Sequence, residues 1–427
     1  IRGMGEKFAA NPVTGSGSVT IPIAASPGRS GFGPQLSLSY DSCVGNGPFG
    51  FGWNLSLPAI TRKTDRGLPR YRDALGSDVF ILSGAEDLVP VLDQVGGSWN
   101  ARSVQRGLYG NSYRVDAYRP RVEGLFARIE RWSNDSNPGD VFWRSISKDN
   151  ITTWYGRTAE SRITDPSDPA RIFSWLICSS HDDKGNVMVY GYKAEDAQGI
   201  SASTLNERNR TALSRSTNRY LKHIRYGNRL PYFPDSSLPE AVPLPDEWLF
   251  ELVLDYGEHD PDEPRPAVEI RPWDLRNDSF SSYRAGFDVR SYRLCQRVLM
   301  FHHFPEEADV GPDCLVRSTD LTYSYELDPS NADNPIFSFL LSAVQNGYRR
   351  APAGGYVRRS LPAVEFEYSR PIISGEVSDL DPRSLENLPV GLDGGQYQWV
   401  DLDGEGLSGI LSQQAGAYYY KPNLSLA

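Results

Sequence analysis

Methionine, cysteine and histidine are all scarce: 3, 4 and 5 in 427 residues. The four cysteines, Cys43, Cys178, Cys295 and Cys314, lie far apart, and none forms a C-x-x-C pair. That spacing excludes a zinc module and a disulfide framework. It reads as isolated thiols packed as small hydrophobes. An oxidising compartment would allow Cys295 and Cys314 to pair, and the sequence leaves that open. Basic charge is in deficit too. The formal net charge is -10, and an acidic surface repels a phosphate backbone, so nucleic acid is not an expected partner. Arginine is nevertheless spread along the chain, which leaves room for a local basic patch. No apolar run approaches the roughly 20 residues of a membrane helix, so this segment is not expected to insert into a membrane. No long stretch holds a 3.6-residue apolar period, which argues against a helical bundle.

What the chain has is turn formers and rings: 39 Gly, 31 Pro, 23 Tyr, 17 Phe and 9 Trp. These suit short strands joined by tight turns. Val19, Ile21 and Ile23, then Leu36, Leu38 and Tyr40, alternate with polar residues and read as two strands with one buried face. Pro22 argues for an edge position, because it cannot donate to a ladder. Gly45, Gly47, Gly50 and Gly52 sit among Phe49, Phe51 and Trp53, where missing Cβ atoms let backbone lie against rings. Residues 142–155 read as a hairpin turning at Lys148-Asp149-Asn150. A second hairpin turns near Lys184-Gly185-Asn186. Trp248, Phe250, Leu252, Leu254 and Tyr256 give the cleanest alternation. Leu321, Tyr323 and Tyr325, then Val364, Phe366 and Tyr368, give two more strands. Residues 194–219, 228–246 and 257–286 are polar or rich in Pro, Asp and Glu. They read as surface insertions, with short helical turns around 201–219. A domain boundary is expected near Arg370–Pro389, where the pattern changes.

Candidate chemistry is thin. DLDGEG places Asp401, Asp403 and Glu405 at the first, third and fifth positions of a calcium-type loop, with Gly406 at the turn. Gly409 and Ser412 then occupy positions nine and twelve. The bidentate carboxylate is missing, and the loop supplies about four of the six to eight oxygens Ca2+ takes. The other reading of DLDGEG is a tight strand–turn–strand corner. Glu365 and Glu367 form an E-x-E pair of the kind that ADP-ribosyl transfer uses. A half-solvated strand places two carboxylates on one face in the same way, and no upstream Arg and Ser-x-Ser strand set accompanies them. His302 and His303 would point to opposite faces of a strand, so they cannot chelate one metal together. There is no G-x-S-x-G elbow. No catalytic or cofactor-binding residue is assigned, and the chain is not expected to be an enzyme.

Ordered stretches carry a resemblance. GMGEKFAANPVTGSGSVTIPI, FGPQLSLSYDS, GNGPFGFGWNLSLPAITRKTDRGLPRY, VEGLFARIERW, SKDNITTWYG, FSSYRAGFDVRSYRLCQRVLMFHHFP and WVDLDGEGLSGIL are similar to the N-terminal domain shared by SpvB and the B components of insecticidal toxin complexes. Residues 183–192 also resemble half of an RHS repeat. Cys43, where the family usually has a small residue, and the acidic insertion after Tyr232 are departures. The resemblance implies an all-β fold: an extended, coiled antiparallel sheet of the RHS-shell type over residues 1–370, then the start of an FG-GAP-like β-propeller over 371–427. It implies a structural part of a secreted toxin, held in the bacterial cytoplasm before release. The shell would be built with a C component that carries a cytotoxic effector. The propeller would dock on the pore-forming A component. Since the chain opens on Ile1 and stops at Ala427 soon after a repeat begins, it is expected to be a piece of a longer polypeptide. Two other readings remain open: an enzyme (an SpvB-type ADP-ribosyltransferase or an all-β glycan hydrolase), and an RHS-like carbohydrate-binding surface module.

Overall fold

The computed structural model describes residues 4–11, 16–42, 44–83, 87–108, 110–234, 243–324, 337–369, 377, 379, 382–387, 396–402 and 408–424. The chain divides into two compact units, Ile1–Ser369 and Arg370–Ala427. Both are built of antiparallel strands. Helix is limited, among the described residues, to single turns such as Ala212–Arg215, inside the segment where helical turns were expected.

Four N-terminal strands form one sheet: β1 (Lys7–Asn11), β2 (Ser16–Pro22), β3 (Ser37–Asp41) and β4 (Trp53–Leu55). Ile21 and Leu38 face the core and are fully buried, as their alternation requires. Pro22 contradicts its expected edge position, because β2 lies between β1 and β3. The reason is length. The β1 pairing stops at Thr20, so nothing on that side asks Pro22 for a donor. Two of the glycines lie against rings as expected, but the rings are Tyr40 and Tyr323 and not Phe49, Phe51 or Trp53. A Cβ on Gly52 would lie 2.4 Å from the Tyr40 ring, and one on Gly50, at φ 98°, would lie 3.1 Å from the Tyr323 ring.

Eight of the strands that follow close on themselves. They are β5 (Ala59–Arg62), β6 (Phe80–Leu82), β7 (Asp87–Pro90), β8 (Asn111–Pro120), β9 (Arg128–Asn134), β10 (Val141–Ile146), β11 (Thr152–Tyr155) and β12 (Asp168–His181). Each pairs with the next, and β12 pairs back with β5, which completes a barrel. Small barrels are filled by inward side chains. Here Phe80, Tyr118, Trp143 and Trp175 interlock with ring centroids 4.9–6.0 Å apart. Arg62 and Arg131 converge on Asp73, each at 2.5 Å, and Asp78 lies 2.7 Å from Arg62. The outer face is buried as well. Tyr113, Trp132, Phe142 and Trp154 form a second aromatic cluster, with Arg144 stacked 5.2 Å over Trp132 and 5.4 Å over Trp154.

β12 is long enough to serve two structures. Beyond the barrel it begins a long sheet through β13 (Val187–Ala194), β14 (Arg219–Asn228), β15 (Trp248–Asp255), β16 (Arg297–Phe304), β17 (Gly311–Tyr323), β18 (Leu340–Arg350) and β19 (Tyr356–Ser360). The N-terminal sheet packs on one face of it. Ile21, Leu38 and Trp53 share a core with Tyr226, Leu252, Met300 and Leu340.

The polar insertions are less superficial than their composition implies. Glu195, Glu207, Glu258, His259, Trp273 and Arg276 are buried, because arginine–carboxylate pairs carry these segments onto the sheet. Cys178, Cys295 and Cys314 are buried free thiols. Cys43 and Tyr325 lie outside the described residues. In the second unit, β20 (Tyr397–Val400), β21 (Gly409–Gln414) and β22 (Ala417–Lys421) form a three-stranded antiparallel meander.

Candidate functional site

Among the described residues, those flagged in the sequence are not brought together. Asp401 follows β20 and is exposed; Asp403 and Glu405 lie outside the described residues. Glu365 and Glu367 are exposed on one side of their strand, while Phe366 and Tyr368 turn inward. Phe366 packs 4.9 Å from Trp53, and the Tyr368 hydroxyl accepts a 2.8 Å hydrogen bond from the Trp53 indole. The pair therefore sits where a half-buried strand puts it.

His302 and His303 point to opposite faces, as alternation requires. His302 Nε2 lies 2.7 Å from Ser26 Oγ, and its ring packs against Phe250 and Phe304. This is two-thirds of a nucleophilic triad. Among the described residues no carboxylate meets the imidazole, so nothing orients it as a base. Burial, with Arg317 nearby, holds the His302 pKa below the usual value. On the other face His303 Nε2 is 3.3 Å from Glu251, and Nδ1 is 3.1 Å from Asp313. Burial opposes its charge, but Glu251 and the Pro312 carbonyl outweigh burial and raise its pKa.

One constellation was not legible in the sequence. The Lys222 ammonium, on β14, donates to Glu258, to His259 Nε2 at 2.8 Å and to the Leu254 carbonyl at 3.2 Å. His259 Nδ1 lies 2.9 Å from the Val268 carbonyl, which fixes that nitrogen as the donor and Nε2 as the acceptor. Burial and the Lys222 charge both lower the His259 pKa. Glu258 is fully buried and also accepts the Tyr256 N–H at 2.7 Å. All three ammonium donors are engaged, so the group reads as a staple holding 256–273 to the sheet. No spacing rule links Lys222 to residues 258–259, which is why the cluster could not be found beforehand.

Two open grooves carry mixed charge. One, of about 540 Å³, is lined by Lys63, Arg66, Arg70, Asp78, Asp87 and Arg121. Lys63 and Arg121 both pair with Asp87 there, at 2.8 and 3.3 Å. The other, of about 350 Å³, includes Glu263, Arg265, Asp313, Arg350 and Tyr356. In it Arg350 donates to the Val310 and Asp313 carbonyls.

Fold and surfaces together define an all-β domain, and comparison with known proteins makes the class specific. Residues 11–304 match the family described as SpvB, Salmonella virulence plasmid 65kDa B protein. The chain belongs to this family. It is 38% identical over 354 residues to the mono(ADP-ribosyl)transferase SpvB of Salmonella typhimurium strain 14028s, a match covering 79% of this chain and 56% of the relative. The Salmonella dublin protein matches at the same identity, with 55% of its length covered. The chain thus spans about half the length of these relatives. Among solved structures, the N-terminal domain of SpvB from Salmonella typhimurium strain LT2 is similar at TM-score 0.66 and 38% identity, covering 77% of this chain and 98% of that one. TcdB2-TccC3 is similar at TM-score 0.77 and 30% identity, covering 98% of this chain and 19% of that one. A Photorhabdus luminescens Tc holotoxin pore is similar at TM-score 0.76 and 31% identity, covering 98% of this chain and 18% of that one.

Proposed function

We propose that this chain is a non-catalytic wall segment of a Tc-type B component, forming part of a shell around an effector carried by a C component. The observation that carries this reading is the extent of the two likenesses. The match to SpvB covers 79% of this chain, whereas the likeness to TcdB2-TccC3 covers 98% of it and so extends into the second unit. The physical character agrees. A wall needs strands covered on both faces and stiff cross-strand pairs, each worth roughly 0.2–1 kcal/mol, and the barrel supplies both. The second unit opens a propeller in this reading, since three antiparallel strands in a meander begin a four-stranded blade. That propeller faces the pore-forming A component. The RHS character, secretion and the absence of a resident metal belong to the same proposal.

Co-expression with a TccC3-type partner tests it. The two are expected to co-purify as one assembly in which the partner's effector resists added protease. Separate elution with an accessible effector would refute the shell role. Transfer of labelled ADP-ribose from NAD to host proteins by this chain alone would favour the enzyme reading.

A further inference from the structure

The chain is acidic overall, yet one corner of its long sheet carries arginines without acidic partners. Met300, Arg317, Gly347 and Arg359 stand side by side on four successive strands, β16 to β19. Residues paired in this way project from the same face. Met300 belongs to the core beneath the N-terminal sheet. One strand further on, the row emerges into solvent, and Arg317, Gly347 and Arg359 are exposed. Arg349, two residues from Gly347, is exposed on the same face. Among the described residues none of the three arginines has an ion pair. Gly347 leaves a notch between Arg317 and Arg359. The nearest atom to a Cβ placed there is a backbone oxygen at 3.9 Å, so among the described residues no side chain fills it.

Edge protection explains only part of this. Charged residues on an outer strand discourage edge-to-edge pairing, and Arg358 and Arg359 on β19 suit that role. Arg317 and Arg349 lie on inner strands, where no edge needs guarding. Cross-strand neighbours are about 5 Å apart, so Arg317 and Arg359 flank the glycine at a distance that lets one carboxylate bridge two guanidinium groups.

We propose that this notch is a docking point for an acidic segment of a partner polypeptide, which seats a glutamate or aspartate over Gly347 between Arg317 and Arg359, with Arg349 alongside. A compact acidic segment suits the surroundings better than a long polyphosphate or an anionic membrane. With a net charge of -10, the rest of the chain repels extended arrays of negative charge.

The test uses the full chain and a fluorescein-labelled peptide of alternating glutamate and threonine, read by anisotropy at low salt. Binding is expected to fall at least tenfold in the triple variant R317Q/R349Q/R359Q. Gly347→Val, which keeps every charge but fills the notch, should weaken binding by a similar factor. Gly347→Ser serves if the valine variant does not fold, and R317K/R349K/R359K should restore part of the affinity. Unchanged melting temperatures would show that the fold is intact. No peptide binding below about 1 mM, or equal binding by the triple variant, would overturn the proposal. So would insensitivity to the Gly347 substitutions, or preferential binding of polyphosphate or phosphatidylserine vesicles over the peptide.

Discussion

Arg293 shows how single residues hold the insertions down. Its guanidinium pairs with Glu195, and both side chains are fully buried. It also donates to the Trp273 and Gln198 carbonyls at 2.9 and 3.0 Å and stacks 4.4 Å over the Trp273 ring. Arg293→Ala leaves the Glu195 carboxylate buried with its main partner gone. Breaking such a pair from one side destabilises by about 3–5 kcal/mol. Urea unfolding of Arg293→Ala should show a loss of that order; a loss under about 1 kcal/mol, the range of a surface pair, would contradict it. His181 gives a second prediction at this scale. It sits at the end of β12 with its ring 5.5 Å from Tyr232. Burial, with Arg157 nearby, pushes its pKa down to about 4. A free histidine titrates near 6.5, so the unfolded chain takes up this proton first. Stability should therefore fall as pH drops from about 6.5 to about 4 and level off below, a change on the order of 3 kcal/mol. His181→Phe keeps the ring contact and should lose less over that window. Parallel pH profiles for the two proteins would rule the assignment out.

At the scale of elements, the barrel turns on a glycine. β11 ends at Tyr155, and the strand Arg162–Asp165 then resumes along the same edge of β12. Gly156 makes the bend at φ 64°, and its N–H donates to the Leu176 carbonyl at 2.8 Å. A Cβ there would lie 2.3 Å from Trp175. Gly156→Ala thus adds left-handed strain to a clash with a core indole. Together these are expected to cost about 2–4 kcal/mol in denaturant unfolding. A neutral result would mean the bend is not held by packing. Elements like β15 were legible because each apolar residue in the alternation has a polar or smaller neighbour. The β10–β11 hairpin was legible too, but the barrel it belongs to was not: Val141–Ile146 is covered on both faces, so its alternation does not say which face turns inward. Closure itself depends on β5 meeting β12 and β7 meeting β8, pairings that no local pattern encodes. The surfaces divide in the same way. His302 and His303 could be assigned to opposite faces from period two alone. The meeting of Ser26 with His302, and of Lys222 with Glu258, depends on tertiary contacts. The arginine row also needed the register of four strands before three scattered letters became neighbours.

For the whole molecule, the question is whether the first unit is a folding body in its own right. Among the described residues, the barrel, the long sheet and the N-terminal sheet have all their strand pairings inside residues 1–369. The N-terminal domain of SpvB, covered over 98% of its length by this likeness, is a structure of that region without the rest of its protein. A body of this size buries enough apolar surface to be stable alone, and its core is continuous from Ile21 to Ala343. A fragment ending at Ser369 should therefore remain monomeric and unfold in one cooperative step. Its melting temperature should match that of the corresponding transition in the full chain. The measurement is differential scanning calorimetry of both proteins, with near-ultraviolet circular dichroism reporting the packed tryptophans. A fragment that aggregates, or keeps β-structure but loses the aromatic near-ultraviolet signal, would show that the barrel and long sheet need residues 370–427 to reach their native packing.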